Sequence, residues 1–353
     1  MLKHNVKLIA LCLVALFALS ACSTPTPSSS ASTPVSGSSS TSEAASTPSE
    51  SVLPSEATAI NIAAMRGPTS MGLVKLMKDA DNGETVNDYT FTLAGAADEI
   101  TANIVNGSLD IAAVPVNLAS VLYNRTEGGV MVLALNTLGV LYVIEAGDTI
   151  ESVEDLRGQT IFSTGKNTTP EFSLNYILDQ NGISLEEVTI DYRSEASEVG
   201  TLLEQGQASI AVLPEPYVTT VLARNDSLRI ALSLSDEWDK VSGDNGALVT
   251  GAVIVRTEFL EENKEAVDAF MDEYKASVAY AQEDIEGTAA LIAEYGIIPS
   301  AALAAVALPK CNVVFREGAE MKKDISSYLD ILFTANPQSV GGAVPHDEFY
   351  YAR

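Results

Sequence analysis

The chain has 353 residues, of which 47 are acidic and 20 basic, and its formal net charge is −27. This excess of negative charge argues against a nucleic-acid-binding protein, because phosphate contacts require clustered lysine and arginine. With only two histidines and three cysteines, the chain has too few ligands for a His/Cys metal site and no plausible Cys–His catalytic pair. We therefore expect no metal, no cofactor and no catalysis.

The first 21 residues have the pattern of an export signal. Lys3 and Lys7 precede an apolar run over residues 8–21, which is too short for a membrane-spanning helix. The run ends in Leu19-Ser20-Ala21-Cys22, which resembles the lipobox of bacterial lipoproteins. The resemblance implies cleavage before Cys22, lipidation of its thiol and a place on the extracytoplasmic face of the cell membrane. The alternative is an ordinary secretory signal followed by a chance cysteine.

Residues 22–58 separate the predicted anchor from the rest of the chain. They are almost all Ser, Thr, Pro and Ala, and such a segment cannot bury enough apolar surface to offset the entropy of ordering. We therefore expect a disordered linker that spans about 30–35 Å.

From Ile60 onward, short apolar runs alternate with segments of helical period. The pattern predicts strands over 60–65, 89–94 and 109–114, helices over 69–79, 98–105 and 118–123, and a long β-rich stretch over 130–145. A strand–helix–strand succession of this kind favours a parallel sheet with helices on its faces.

The same order then begins again. Strands are predicted over 160–163, 188–192 and 209–213, with helices that begin at Thr168 and cover 199–205 and 217–223. Thr168 and Glu171 have the spacing of a capping box. Residues 107–115 also align with residues 206–214. The repeat predicts two similar α/β lobes.

A third β-rich run over 247–255 follows, and the remaining chain is predicted to be helical, over 263–282, 286–295, 300–308 and 317–333. The economical topology places residues 59–140 and 250–353, with the C-terminal helices, in the first lobe. Residues 141–249 then form the second lobe. Two strands that cross between the lobes form a hinge that permits closure around a ligand.

Four stretches are similar to one known family: Leu156–Ile161, Pro170–Ile183, Ala211–Tyr217 and Gly107–Pro115. They resemble the substrate-binding proteins of nitrate-, sulfonate- and taurine-type ABC importers, a family that includes binders of thiamine-pyrimidine precursors. The resemblance implies a type II periplasmic binding protein-like fold, capture of a small molecule between the lobes, and delivery to ABC permease subunits. Ser209, where the family commonly has an acid, and the loop over 65–72, which lacks an aromatic residue, depart from the family pattern and put the substrate in doubt.

In open parallel sheets, ligands bind beyond the carboxyl ends of the strands. The segments at those ends predict the following ligand-binding residues: Arg66, Gly67, Thr69, Ser70, Met71, Gly95, Pro115, Asn117, Asn136, Thr137, Thr164, Lys166, Asn167, Thr168 and Glu215. Because a guanidinium and helix N-termini favour negative charge, we expect a small organic anion such as a sulfonate or carboxylate.

Alternatives remain for several of these residues and for the function. Arg66 either binds the ligand or pairs with a carboxylate, Lys166 is either a contact or solvated, and Glu215 either braces the hinge or binds an amine. The ligand is alternatively a neutral vitamin-type precursor, a pyrimidine or a flavin, and the protein is alternatively a ligand-sensing lipoprotein without transport. Enzymes of pyrimidine synthesis that share the fold use histidine and lysine, which this chain does not match. We expect a monomer.

Overall fold

The computed structural model describes residues 57–95, 97–243 and 246–353. The strands are β1 (Ala59–Met65), β2 (Asp88–Ala94), β3 (Ile111–Pro115), β4 (Val130–Leu138), β5 (Leu141–Ala146), β6 (Thr160–Ser163), β7 (Thr189–Tyr192), β8 (Ile210–Pro214), β9 (Leu228–Ser233), β10 (Val249–Arg256) and β11 (Val313–Arg316). The helices are α1 (Pro68–Met71), α2 (Val74–Asp81), α3 (Ala97–Val105), α4 (Val116–Arg125), α5 (Thr169–Gln180), α6 (Ala196–Glu204), α7 (Tyr217–Leu222), α8 (Leu234–Ser242), α9 (Thr257–Glu262), α10 (Lys264–Glu283), α11 (Ile285–Glu294), α12 (Ala301–Ala307) and α13 (Gly318–Ala335). The predicted signal and Cys22 lie outside the described residues.

The first sheet has six strands in the order β11-β4-β10-β3-β1-β2. Strand β1 pairs in parallel with β2 and β3, whereas β10 runs antiparallel to both β3 and β4. Both faces are covered: Ile60 and Ile62 of β1 belong to one core cluster and Ala63 to another. Burial on both faces explains why the strand reads as a nearly continuous apolar run.

The second sheet has five strands in the order β7-β6-β8-β5-β9. Strand β6 pairs in parallel with β7 and β8, and β5 runs antiparallel to β8 and β9. The predicted α/β fold class with two repeated α/β units is therefore confirmed. The sheets are mixed rather than wholly parallel, because the strands on either side of the crossing between them run antiparallel to their neighbours.

The crossing between the sheets occurs at Gly139 and Val140, where the predicted β-rich stretch over 130–145 divides into β4 and β5. The chain returns between α8 and β10. The division at residues 140 and 249 stays a proposal, which the membership of the two sheets supports.

Two predictions about helices were wrong. The predicted helix over 69–79 is interrupted between α1 and α2, next to Gly72, where a Cβ would lie 3.0 Å from both Val278 and Val313. Ser277 of α10 bridges the break by donating to the Gly72 carbonyl at 2.6 Å and accepting from the Leu76 amide at 3.1 Å. The chain after residue 255 is also not entirely helical, since β11 joins the edge of the first sheet beside β4.

Helix α13 does not lie on one lobe alone. It contacts β4, β10 and α4 around the first sheet and α5 beside the second. No helix among the described residues is long and apolar enough to cross a membrane.

Candidate functional site

The loop after β1 places Arg66 and Gly67 at the carboxyl end of that strand in the first sheet. The Arg66 amide donates to the Ala94 carbonyl at 2.9 Å, so Gly95 lies beside it at the end of β2. The exposed Arg66 side chain donates from Nη1 to the Gly296 carbonyl at 2.6 Å. The guanidinium therefore has one backbone partner and retains further donors for a ligand.

Helix α1 is too short to provide the anion site predicted from a long helix. It has four residues, and the Ser70 amide donates to the Gly67 carbonyl at 3.1 Å. The Ser70 hydroxyl also donates to that carbonyl, at 2.9 Å. The macrodipole of a single turn is small, so any anion bound here depends on Arg66 rather than on the amides of 69–71.

A buried polar cluster lies next to this loop and contains Thr69, Asn136 and Thr137. The side-chain amide of Asn136 donates to the Thr69 carbonyl at 3.0 Å, and the Thr137 hydroxyl donates to Asn136 Oδ1 at 3.0 Å. Gly251 of β10 packs against this polar cluster. A side chain does not fit there, because a Cβ would lie 2.5 Å from Asn136 Oδ1 and 2.6 Å from Thr69 Cγ2. Sequence reasoning missed Gly251, whose only signal is a glycine inside a strand.

The loop after β6 carries four of the predicted residues, Thr164, Lys166, Asn167 and Thr168. Gly165 and Asn167 adopt positive φ values of 70° and 62°, which glycine and asparagine tolerate best. The Lys166 ammonium lies 5.9 Å from the centroid of the Tyr192 ring.

The predicted capping box at Thr168 is wrong. The Thr168 hydroxyl donates to the Gly165 carbonyl at 2.6 Å instead of accepting from the helix. Glu171 accepts from the Asn167 amide at 2.5 Å. These bonds tighten the loop ahead of α5 rather than capping the helix.

Pro115 and Asn117 lie at the junction of β3 and α4. Asn117 is 5% exposed, and its amide donates to the Ser339 carbonyl at 3.4 Å. Its Oδ1 atom has no hydrogen-bond partner among the described residues. A buried carbonyl oxygen of this kind requires a donor, and no described residue supplies one.

Glu215 is buried between the sheets, and its carboxylate turns toward α7. It accepts from the Thr219 amide at 3.1 Å and from the Thr219 hydroxyl at 3.0 Å. Burial raises the pKa of Glu215, although the two Thr219 bonds oppose the shift. The sequence left two roles open for Glu215, stabilisation of the hinge and binding of an amine. Its two bonds to Thr219 favour the first role.

Most basic residues in the described part of the chain are paired. Of its 18 lysines and arginines, 13 form an ion pair with an acidic residue. Arg66 and Lys166 are among the five that do not. In a chain with such an excess of acids, two cations without a carboxylate partner at the strand ends are available to an anion.

Within the described residues, no group of three or more His, Cys, Asp or Glu side chains is arranged to hold a metal ion. The functional groups of the predicted site are hydroxyls, amides, the two cations and the carboxyl group of Glu215.

Residues 129–286 match the model of the NMT1/THI5-like family. The predicted resemblance is therefore confirmed. Among curated proteins, none matches the chain.

Three solved structures show the same fold. An ABC transporter protein of Parabacteroides distasonis is 22% identical, with a TM-score of 0.71 over 84% of this chain and 99% of that one. The periplasmic aliphatic sulphonate-binding protein SsuA of Escherichia coli is 15% identical, with a TM-score of 0.66 over 83% and 96%. The periplasmic nitrate-binding protein NrtA of Synechocystis PCC 6803 is 12% identical, with a TM-score of 0.57 over 81% and 84%. At these identities the likeness establishes the fold and leaves the ligand open.

Proposed function

We propose that this protein is an extracytoplasmic solute-binding lipoprotein. It captures a small molecule between its two lobes and delivers it to the permease subunits of an ABC importer. The fold shared with binding proteins supports the proposal, as does the gathering of polar loops at the strand ends of both sheets. We further propose that it acts as a monomer and is not an enzyme.

The ligand we propose is a small organic anion such as a sulfonate or carboxylate. The observation that carries this choice is the pair of unpaired cations, Arg66 after β1 and Lys166 after β6. An arginine holds such a group through two parallel N–H···O bonds. The polar groups of Thr164 and of the buried cluster around Asn136 and Thr137 carry no charge.

A neutral ligand of the pyrimidine or flavin type is the second candidate. Asn117 favours it, because its unpartnered Oδ1 accepts a hydrogen bond from a ring N–H or an amino group. The two candidates differ in what they require of Arg66, since only an anion depends on the guanidinium charge.

The melting temperature of the chain produced without residues 1–22, measured with each member of a ligand panel, tests the proposal. The panel contains sulfonates, carboxylates, nitrate, pyrimidines and flavins. A ligand that binds only the folded state stabilises it by about 2.7 kcal/mol at a concentration 100 times its Kd, which raises the melting temperature. We expect the largest shift from an anion. A pyrimidine or flavin as the best ligand contradicts the anion proposal but supports the importer role.

The proposed anchor rests on Leu19-Ser20-Ala21-Cys22. In a lipoprotein-competent bacterium, we expect Cys22→Ser to move the protein from the membrane to the soluble fraction. The lipid chains contribute roughly 0.8 kcal/mol for each buried methylene group, and this variant removes them. A variant that stays with the membrane as firmly as the parent contradicts the anchor.

A further inference from the structure

Thr250 occupies a bulge in β10, an interior strand of the first sheet. Strand β10 advances by two residues, from Val249 to Gly251, where its neighbour β4 advances by one, so Thr250 has no paired residue on β4. On the other side, the ladder with β3 ends at the pair of Gly251 and Pro115. A β-bulge next to a functional site redirects a side chain. Thr250 therefore lies beyond the carboxyl end of β3, which is where ligands bind in folds of this kind.

Two side-chain oxygens at this strand end have no hydrogen-bond partner among the described residues. Thr250 is partly exposed, but its Oγ1 atom is buried and unpaired, as is Oδ1 of Asn117. Asn117 lies in the first turn of α4, directly after β3, and α4 packs on β10. The Asn117 amide nitrogen already donates to the Ser339 carbonyl, which identifies the unpaired atom as the oxygen. Because an unpaired buried oxygen is destabilising, this strand end requires a hydrogen-bond donor.

The chemistry of the two oxygens restricts what satisfies both of them. The Asn117 oxygen only accepts a hydrogen bond, whereas the Thr250 hydroxyl both donates and accepts. Nitrate or an unsubstituted alkyl sulfonate has acceptors only, so it satisfies a hydroxyl and leaves the Asn117 oxygen unpaired. An anion that also bears a hydroxyl or amino group supplies the missing donor. A site that binds such a group discriminates strongly against the analogue without it, because the buried polar atoms of the site are then left unpaired.

We propose that Thr250 and Asn117 form a subsite for a hydrogen-bond donor of the ligand, and that Thr250 is a specificity-determining residue. Through this subsite the protein prefers small anions that bear an O–H or N–H group over unsubstituted anions of the same size. The sequence interpretation assigned no ligand contact to β10. The inference rests on the proposed function, because it distinguishes among the anions that Arg66 and Lys166 attract.

Isothermal titration calorimetry with matched anions tests the subsite. The chain produced without residues 1–22 is titrated with ethanesulfonate and its 2-hydroxy and 2-amino derivatives, and with propionate and its 3-hydroxy and 3-amino derivatives. Each hydroxy derivative adds a donor without changing the charge. In at least one series, we expect a hydroxy or amino derivative to bind about tenfold or more tightly than the unsubstituted anion.

Variants at Thr250 assign the preference to this subsite. Thr250→Val replaces the hydroxyl by a methyl group and should reduce the preference about three- to tenfold, whereas Thr250→Ser retains the hydroxyl and should retain the preference. Thr288→Val is the matched control, because Thr288 is also buried with an unpaired Oγ1 but lies in α11. It should leave the preference unchanged.

The possible outcomes separate this subsite from the proposed function. Equal binding of substituted and unsubstituted anions by the parent, as expected if only water satisfies the two oxygens, overturns the subsite and leaves the anionic ligand in place. An unchanged preference in Thr250→Val has the same consequence. Failure of all six anions to bind contradicts the anionic ligand of the proposed function and overturns the subsite with it.

Discussion

Two of the contacts between the lobes differ in the interactions that stabilise them. At the crossing, Asn312 donates from Nδ2 to the Gly139 carbonyl at 2.6 Å, and the Glu215 amide donates to the Val140 carbonyl at 2.9 Å. We call this set, Gly139–Val140 with Glu215 and Lys310–Asn312, the hinge seam. The other contact is aromatic: Tyr328 of α13 packs on Trp238 of α8 with ring centroids 5.6 Å apart, and Trp238 packs on Tyr176 of α5 at 4.7 Å. We call these three rings the aromatic seam. Directional hydrogen bonds fix the geometry of the crossing, whereas burial of apolar surface stabilises the aromatic contact without a preferred direction.

The largest expected effect comes from removing the central ring of the aromatic seam. Trp238→Ala should lower the free energy of unfolding by about 3–5 kcal/mol, because it leaves a cavity between Tyr176 and Tyr328. Chemical denaturation monitored by circular dichroism measures the loss. Tyr217→Ala, at a side chain 39% exposed, serves as the control and should change little. A loss below about 1 kcal/mol would show that the seam contributes little packing and would break the comparison.

The next effect concerns the loop after β1. Arg66→Ala should weaken binding of the best anion by about 2–5 kcal/mol, or roughly 30- to several-thousand-fold in Kd, because the anion loses a charged hydrogen bond in a closed cleft. Isothermal titration calorimetry measures the change. Arg125→Ala and Arg224→Ala are matched controls on exposed arginines and should bind normally. Normal binding by Arg66→Ala would assign Arg66 to its bond with Gly296 and reject the anion site.

The smallest effect sharpens the account of the hinge seam. Because burial raises the pKa of Glu215, its protonated form is favoured by folding. Its contribution to stability is complete at pH values below the ordinary carboxyl pKa and is lost as the pH rises through the raised pKa. The loss is about 1.4 kcal/mol for every pH unit that separates the folded-state pKa from the ordinary one. Glu215→Gln should therefore gain stability relative to the parent as the pH rises from 4 toward 7. Parallel stability curves for parent and variant would contradict a buried Glu215 with a raised pKa.

The order of elements was predictable from periodicity wherever a segment was long or buried on both faces. Strand β1 and helix α10 follow their predicted ranges closely for this reason. The repeat between residues 107–115 and 206–214 was also informative, because β3 and β8 each end in a proline that precedes a helix, directly at Pro115 and by two turn residues at Pro214.

Features that depend on distant contacts were not predictable. The break between α1 and α2 is bridged by Ser277 of α10, which is distant from Gly72 in sequence. Strand β11 has four residues, too few for a periodic signal between two helical segments. The helical period over 317–333 predicted a helix, but nothing in that period indicated that α13 would contact both lobes. The partner of Arg66 was equally hidden, since it is the backbone carbonyl of Gly296.

Distance measurements between the lobes test the central claim, capture of a ligand by closure about the hinge seam, most directly. Spin labels at Val105→Cys and Leu185→Cys occupy exposed positions, 60% and 52% accessible, beside the first and second sheets. Production of the chain without residues 1–22 leaves Cys311, which is buried, as the remaining native cysteine. Labels at Val86→Cys and Val105→Cys, both beside the first sheet, provide the control. The compound with the largest thermal shift should change and narrow the distance between the lobes and leave the control distance unaltered, whereas an unchanged distance between the lobes under saturating ligand would contradict the account.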